Sequence, residues 1–157
     1  MLTEPVLIVC GSRKWQKAAK LFDVLDEVCR GFPIEVWHGG ADGADTLGGE
    51  WAWSRYCHAK AWCAQWSRFG KSAGFKRTAE MIAAAPAGSV VVAFVVGPLK
   101  ESRGTAFTVR KAMERGLRVV LVEEKPDAAY SVSHPAPGAG EHRPHPVESP
   151  SPGAGCE

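Results

Sequence analysis

The densest grouping of chemically able residues in this chain is Gly97-Pro98-Leu99-Lys100-Glu101-Ser102-Arg103-Gly104-Thr105, which ends an apolar run and passes straight into a segment of helical period. Ser102, Arg103 and Thr105 supply polar donors, and Gly104 removes side-chain obstruction. The first amides of a helix have no intrahelical partner and its dipole end is positive, so this turn suits a phosphate held without a metal. The competing reading is an ordinary capped helix with Arg103 in solvent. A second turn, Gly11-Ser12-Arg13-Lys14-Trp15, combines a glycine, a hydroxyl and a planar charged fork. It reads equally as an anion site and as a turn in which Ser12 caps the next helix.

A third loop, His38-Gly39-Gly40-Ala41-Asp42-Gly43-Ala44-Asp45, carries three glycines in five residues, more than a turn requires, so something approaches its backbone closely. Asp42 and Asp45 oppose a simple phosphate reading, because a carboxylate at a helix N-terminus takes the amides that a phosphate would use. One is expected to cap, and the other is a candidate acceptor for ribose hydroxyls. His38 is a candidate general acid or base, or else bonds to backbone. The segment from Trp66 to Arg77 brings aromatic faces, glycines and basic groups together, with Trp66 or Phe69 able to stack on a base. Its Gly70-Lys71-Ser72 triplet lacks the earlier glycine of a P-loop, so no P-loop nucleotide hydrolysis is expected.

Elements must hold these loops. Val6–Cys10, Ile34–Trp37, Ala59–Cys63, Val90–Val96 and Leu117–Val122 read as strands. Between them lie helical periods: Trp15 to Cys29, Ala44-Leu47-Trp51, Phe75 to Ala85, and Thr105–Arg115, the last turning Ala106, Val109 and Met113 inward and ending at Gly116. Alternation of strand and helix, with strands apolar on both faces, predicts a Rossmann-like, doubly wound α/β fold: a parallel sheet of five strands in the order 3-2-1-4-5, with helices on both faces. Ligands bind such sheets outside the carboxyl ends of the strands, where these loops fall.

The chain of 157 residues has room for one domain, expected over residues 1–124. Seven of eleven prolines and three of five histidines lie after residue 124, so 125–157 reads as a disordered Pro/Gly/Ser-rich tail. The first 124 residues hold 17 basic and 13 acidic side chains, a net +4 that suits a small anion better than duplex DNA. No apolar run is long enough for a bilayer and no basic leader opens the chain, so a cytoplasmic protein is expected. Five cysteines without a Cys-x-x-Cys pair read as buried thiols; for Trp37, Trp51, Trp53 and Trp62, core packing or a subunit interface is expected. No metal or cofactor is expected.

Together, Gly11-Ser12-Arg13-x-Trp15, His38-Gly39-Gly40-Ala41-x-Gly43-Ala44-Asp45, Trp66 with Gly70-Lys71-x-Ala73-Gly74, Arg77 with Glu80-Met81, Ala93-Phe94 and Ser102-Arg103-Gly104-Thr105 resemble the YspA/cpYpsA-related branch of the SLOG superfamily over about residues 5 to 122. The resemblance implies a Rossmann-like domain that binds nucleotides or ADP-ribose-like derivatives in prokaryotic or phage signalling, and a homodimer, since LOG-like relatives self-associate. LOG phosphoribohydrolases of the same superfamily use a Pro-Gly-Gly-x-Gly-Thr-x-x-Glu loop, and here Thr108 stands in the place of that glutamate. Asp42, Asp45 and Glu80 are left as substitute carboxylates. Two further departures are Thr78, where asparagine is expected, and Gln65, where aspartate is usual.

The expectation is a module that binds or senses a nucleotide-like small molecule through Gly11, Ser12, Arg13, Gly39, Gly40, Asp42, Asp45, Trp66, Arg77, Ser102, Arg103, Gly104 and Thr105. One alternative is an N-glycosidic hydrolase of a nucleoside monophosphate or NAD-like substrate, with His38, Asp45 or Glu80 catalytic. Another is single-stranded DNA binding of the DprA type, which the modest charge disfavours.

Overall fold

The apolar run Val90–Val96 forms the longest buried strand of a five-stranded parallel sheet in a computed structural model that describes residues 4–30 and 35–126. Five strands alternate with helices: β1 (Leu7–Gly11), α1 (Ala18–Val28), β2 (Glu35–His38), α2 (Ala44–Ser54), β3 (His58–Ala61), α3 (Trp66–Phe69), α4 (Ala73–Ala84), β4 (Val90–Val96), α5 (Arg103–Glu114) and β5 (Arg118–Glu124). The sheet runs β3-β2-β1-β4-β5, with Leu7 of β1 opposite Val36 of β2 and Val90 of β4. This is the doubly wound arrangement expected from the alternation.

Strand pleating sends alternate residues to opposite faces. Leu7, Val9, Val92 and Phe94 pack on one face against Leu21 and Leu25 of α1 and Trp51 of α2. Ile8, Val91 and Ala93 pack on the other against Met81 and Ile82 of α4 and Val109 and Ala112 of α5. The neighbouring strands β1 and β4 therefore send their chains to opposite faces, β1 into α1 and β4 into α5. A crevice opens between those two exits, as it does in other sheets of this topology.

Boundaries differ from the sequence expectation by a residue or two at most strands, and α5 begins at Arg103 rather than Thr105. Ile34, the expected start of β2, lies outside the described residues, as does the expected tail beyond Pro126. Met113, expected to face inward, is 66% exposed. The inward stripe of α5 is instead Thr105, Thr108, Val109 and Ala112, because its first turns face a polar crevice rather than the core. Trp37 and Trp51 are buried, whereas Trp53 is largely exposed. Cys10, Cys29 and Cys57 carry free thiols, and of these Cys10 is buried. No helix among the described residues is long and apolar enough to cross a membrane.

Gly11 lets β1 close against β4. Its φ is +151°, an added Cβ would overlap the Phe94 carbonyl oxygen, and Ser12 N–H donates to that same oxygen at 2.7 Å. Gly11→Ala should therefore cost at least about 2 kcal/mol in urea unfolding. Gly104→Ala, where an added Cβ meets nothing within 4 Å, should be neutral or stabilise by up to about 1 kcal/mol. Equal effects of the two substitutions would refute this assignment of the glycines.

Candidate functional site

The N-terminus of α5 ends without a cap. A short 3-10 turn, Leu99–Glu101, leads to Ser102, whose side chain makes no capping hydrogen bond and whose carbonyl accepts from Ala106 N–H at 2.8 Å. Among the described residues, the N–H groups of Arg103, Gly104 and Thr105 have no partner. The side chain of Thr105 is likewise without a hydrogen bond although the residue is only 7% exposed, while the Thr108 hydroxyl donates to Gly104 carbonyl at 3.0 Å. These groups open onto a cavity of about 530 Å³.

The opposite wall is the β1 loop. Gly11, Ser12 and Arg13 line the cavity. The carbonyl of Ser12 accepts from Trp15 and Ala44 N–H groups, both at 3.2 Å, and Ser12 Oγ accepts from Lys14 N–H at 3.0 Å. Gly43 has φ +76°, and a Cβ there would overlap the backbone of Ser12 and Arg13. The first two loops therefore cross in direct contact, which brings the residues after β1 and β2 to one place. Arg13, Lys14, Lys71, Arg77 and Arg103 line the cavity against two acids, Asp45 and Glu101, so the lining carries net positive charge.

The glycine-rich loop is organised by its own side chains. Asp45, buried in the first turn of α2, accepts from Gly39 N–H at 2.7 Å and Ala41 N–H at 3.5 Å, and His38 Nδ1 accepts from Gly40 N–H at 3.0 Å. Arg77 Nη1, reaching from α4, donates to the carbonyls of Gly39 at 2.5 Å and Trp62 at 3.0 Å. A Cβ on Gly39 would overlap both Arg77 and Asp45, so this glycine serves packing. Burial pushes the Asp45 carboxyl up to about 6, against the pull of the Gly39 N–H and the Arg77 charge. Burial, with Asp45 nearby, also pushes the Cys10 thiol far above its usual range. Burial and then Arg77 lower the His38 imidazole, which favours its neutral form.

Most residues singled out from the sequence converge here. Gly11, Ser12, Arg13, Gly39, Asp45, Trp66, Arg77, Ser102, Arg103, Gly104 and Thr105 line the main cavity. Gly40 and Asp42 line a second cavity of about 220 Å³, which shares Arg13, Gly39, Trp66 and Arg77 with the first. Trp66 is 46% exposed, and its ring edge would lie 3.3 Å from a Cβ at Gly74, so that glycine lets it settle on α4. His38 and Glu80 line neither cavity, and Glu80 is exposed. Among the described residues, no group of three or more His, Cys, Asp or Glu side chains is placed to hold a metal.

Lys14, Lys71, Glu101 and Thr108 also line the cavity and were not singled out as ligand contacts. For Lys14 and Lys71 the signal was present, since each neighbours a glycine-containing basic turn. Thr78, which departs from the expected asparagine, is buried at the cavity and its hydroxyl accepts from Arg77 Nε at 3.3 Å. Gln65, the other departure, is exposed and lines neither cavity.

Comparison with known proteins is consistent with these motifs. The YspA, cpYpsA-related SLOG family matches residues 5–69. The Gene 61 protein of Mycobacterium phage D29 is 35% identical over 127 residues, which cover 76% of this chain and 98% of that protein. No solved structure matches.

The raised Asp45 carboxyl has a measurable consequence. A folded value near 6 against an unfolded value near 3.9 means that the folded chain binds this proton more tightly. Relative to Asp45→Asn, which shares every other titration, the stability of the native sequence should rise as pH falls from 7.5 through 6 and level off below 4. The full change is up to about 3 kcal/mol. Urea unfolding of both proteins at pH 7.5 and 4.5 tests this, and a difference independent of pH contradicts it.

Proposed function

The chain belongs to the YspA, cpYpsA-related SLOG family, and from that premise we propose that it binds or senses a nucleotide-derived phosphate ligand, a nucleotide or an ADP-ribose-like molecule. One observation carries the reading: the open N-terminus of α5 presents three unpartnered amides and the buried side chain of Thr105, also without a hydrogen bond, to a cavity rich in cations. Such a terminus attracts anions through both its N–H groups and its dipole. The phosphate sits there, with Arg103 and Arg13 closing over it, and the face of Trp66 receives an apolar ring.

Retention is favoured over cleavage by the placement of Thr108 and of the catalytic candidates Asp45 and Glu80. Thr108 occupies the place of the LOG glutamate and its hydroxyl is engaged with the Gly104 carbonyl. Asp45 holds the glycine loop, and Glu80 lies away from both cavities.

Titration with AMP and ADP-ribose, alongside mass spectrometry of small molecules that co-purify, tests the proposal. Arg103→Ala should weaken binding by about tenfold or more. Gly104→Asp should abolish it by placing a carboxylate in the phosphate position, while leaving the unfolding free energy unchanged or slightly higher, since an acidic residue suits a helix N-terminus. Equal affinities in all three proteins would sink the phosphate site. Release of free base or nicotinamide would move the assignment to hydrolysis.

A further inference from the structure

We infer that the smaller cavity is a sugar subsite in which Asp42 reads the hydroxyls of the ligand's ribose, an inference that rests on the nucleotide reading of the larger cavity. The two ends of the site differ in hydrogen-bonding sense. At α5 the free backbone groups are donors, beside the Glu101 carboxylate. In the glycine loop three amides are already taken: Gly39 and Ala41 N–H groups by Asp45, and Gly40 N–H by His38. Two of its carbonyls are engaged as well, Gly39 by Arg77 and Ala41 by the Thr46 hydroxyl at 2.8 Å.

Asp42 remains. It lines the smaller cavity, is exposed, and forms no hydrogen bond or ion pair among the described residues, although Arg13 and Arg77 line the same space. A carboxylate is an acceptor with two oxygens, which matches two adjacent hydroxyls and repels a second phosphate. Asp45 cannot take this role, because it is buried and its Oδ2 holds the loop backbone. The volume of about 220 Å³ is below that of cavities holding whole drug-sized ligands and leaves room for a sugar-sized fragment. Because Arg13, Trp66 and Arg77 line both cavities, one ligand can place its phosphate at α5 and its sugar beside Asp42.

The test titrates the native protein and Asp42→Ala with inorganic phosphate, and with ribonucleoside 5′-monophosphates beside their 2′-deoxy and 3′-deoxy forms. The native protein should prefer the ribonucleotide by about tenfold over either deoxy form, the effect of one hydrogen bond to a charged acceptor. Asp42→Ala should lose that preference, binding ribonucleotides as weakly as the deoxy forms, with the affinity for inorganic phosphate unchanged or slightly tighter. Equal binding of ribo and deoxy forms by the native protein, or a preference that survives in Asp42→Ala, overturns the subsite and leaves the phosphate reading standing. Failure of phosphate and of every nucleotide to bind at millimolar concentration overturns both.

Discussion

A buried carboxylate fixes the geometry of the crevice. Asp45 comes from α2 on one face of the sheet and Arg77 from α4 on the other, and the two flank Gly39 just beyond the end of β2. Through Gly39 they tie both helical layers to the carboxyl end of β2, and through Trp62 the guanidinium also holds the end of β3. A charge buried in this way is costly unless hydrogen bonds and an opposite charge compensate it, and Asp45 has both. The same side chain, with His38, takes the amides of Gly39, Gly40 and Ala41.

That constraint sorts the glycines by cause. Gly11, Gly39 and Gly43 lack side chains because strands, loops and the Asp45–Arg77 pair press against them. Gly104 has open space around it, so nothing in the fold demands its absence of a side chain. A glycine that packing does not require, at the mouth of a helix whose amides are unpartnered, leaves room for something outside the chain. Glycines in loops of similar composition therefore differ in what requires them.

Much of this was legible in the sequence because the signals were redundant. The unbroken apolar run of β4, the helical spacings and Gly116, with φ +75°, all agreed with a doubly wound sheet. Less legible was the division of labour within the glycine loop. Asp42 and Asp45 are three residues apart and chemically identical, but Asp42 lies in the turn before Gly43 and is exposed, whereas Asp45 lies in the first turn of α2 and is buried. The inward face of α5 was misjudged for a related reason. Periodicity selects apolar residues, whereas a helix that borders a polar crevice turns Thr105 and Thr108 inward and Met113 outward. His38 looked chemically able in sequence, yet its Nδ1 is engaged by the neighbouring amide.

Under the proposed function, the charge distribution of the crevice favours holding a ligand over transforming it. Five cationic side chains and an open helix terminus stabilise an anion that is already present in the ground state. Interactions equally strong in the ground and transition states increase affinity without accelerating a reaction. Cleavage of an N-glycosidic bond instead develops positive charge on the sugar, which a carboxylate beside it would stabilise. The hydroxyl of Thr108 cannot supply that charge, Asp45 is occupied by backbone, and Asp42 stands in the smaller cavity, where it fits the hydroxyls of a sugar. Positive potential at one end and a carboxylate acceptor at the other orient a bound nucleotide.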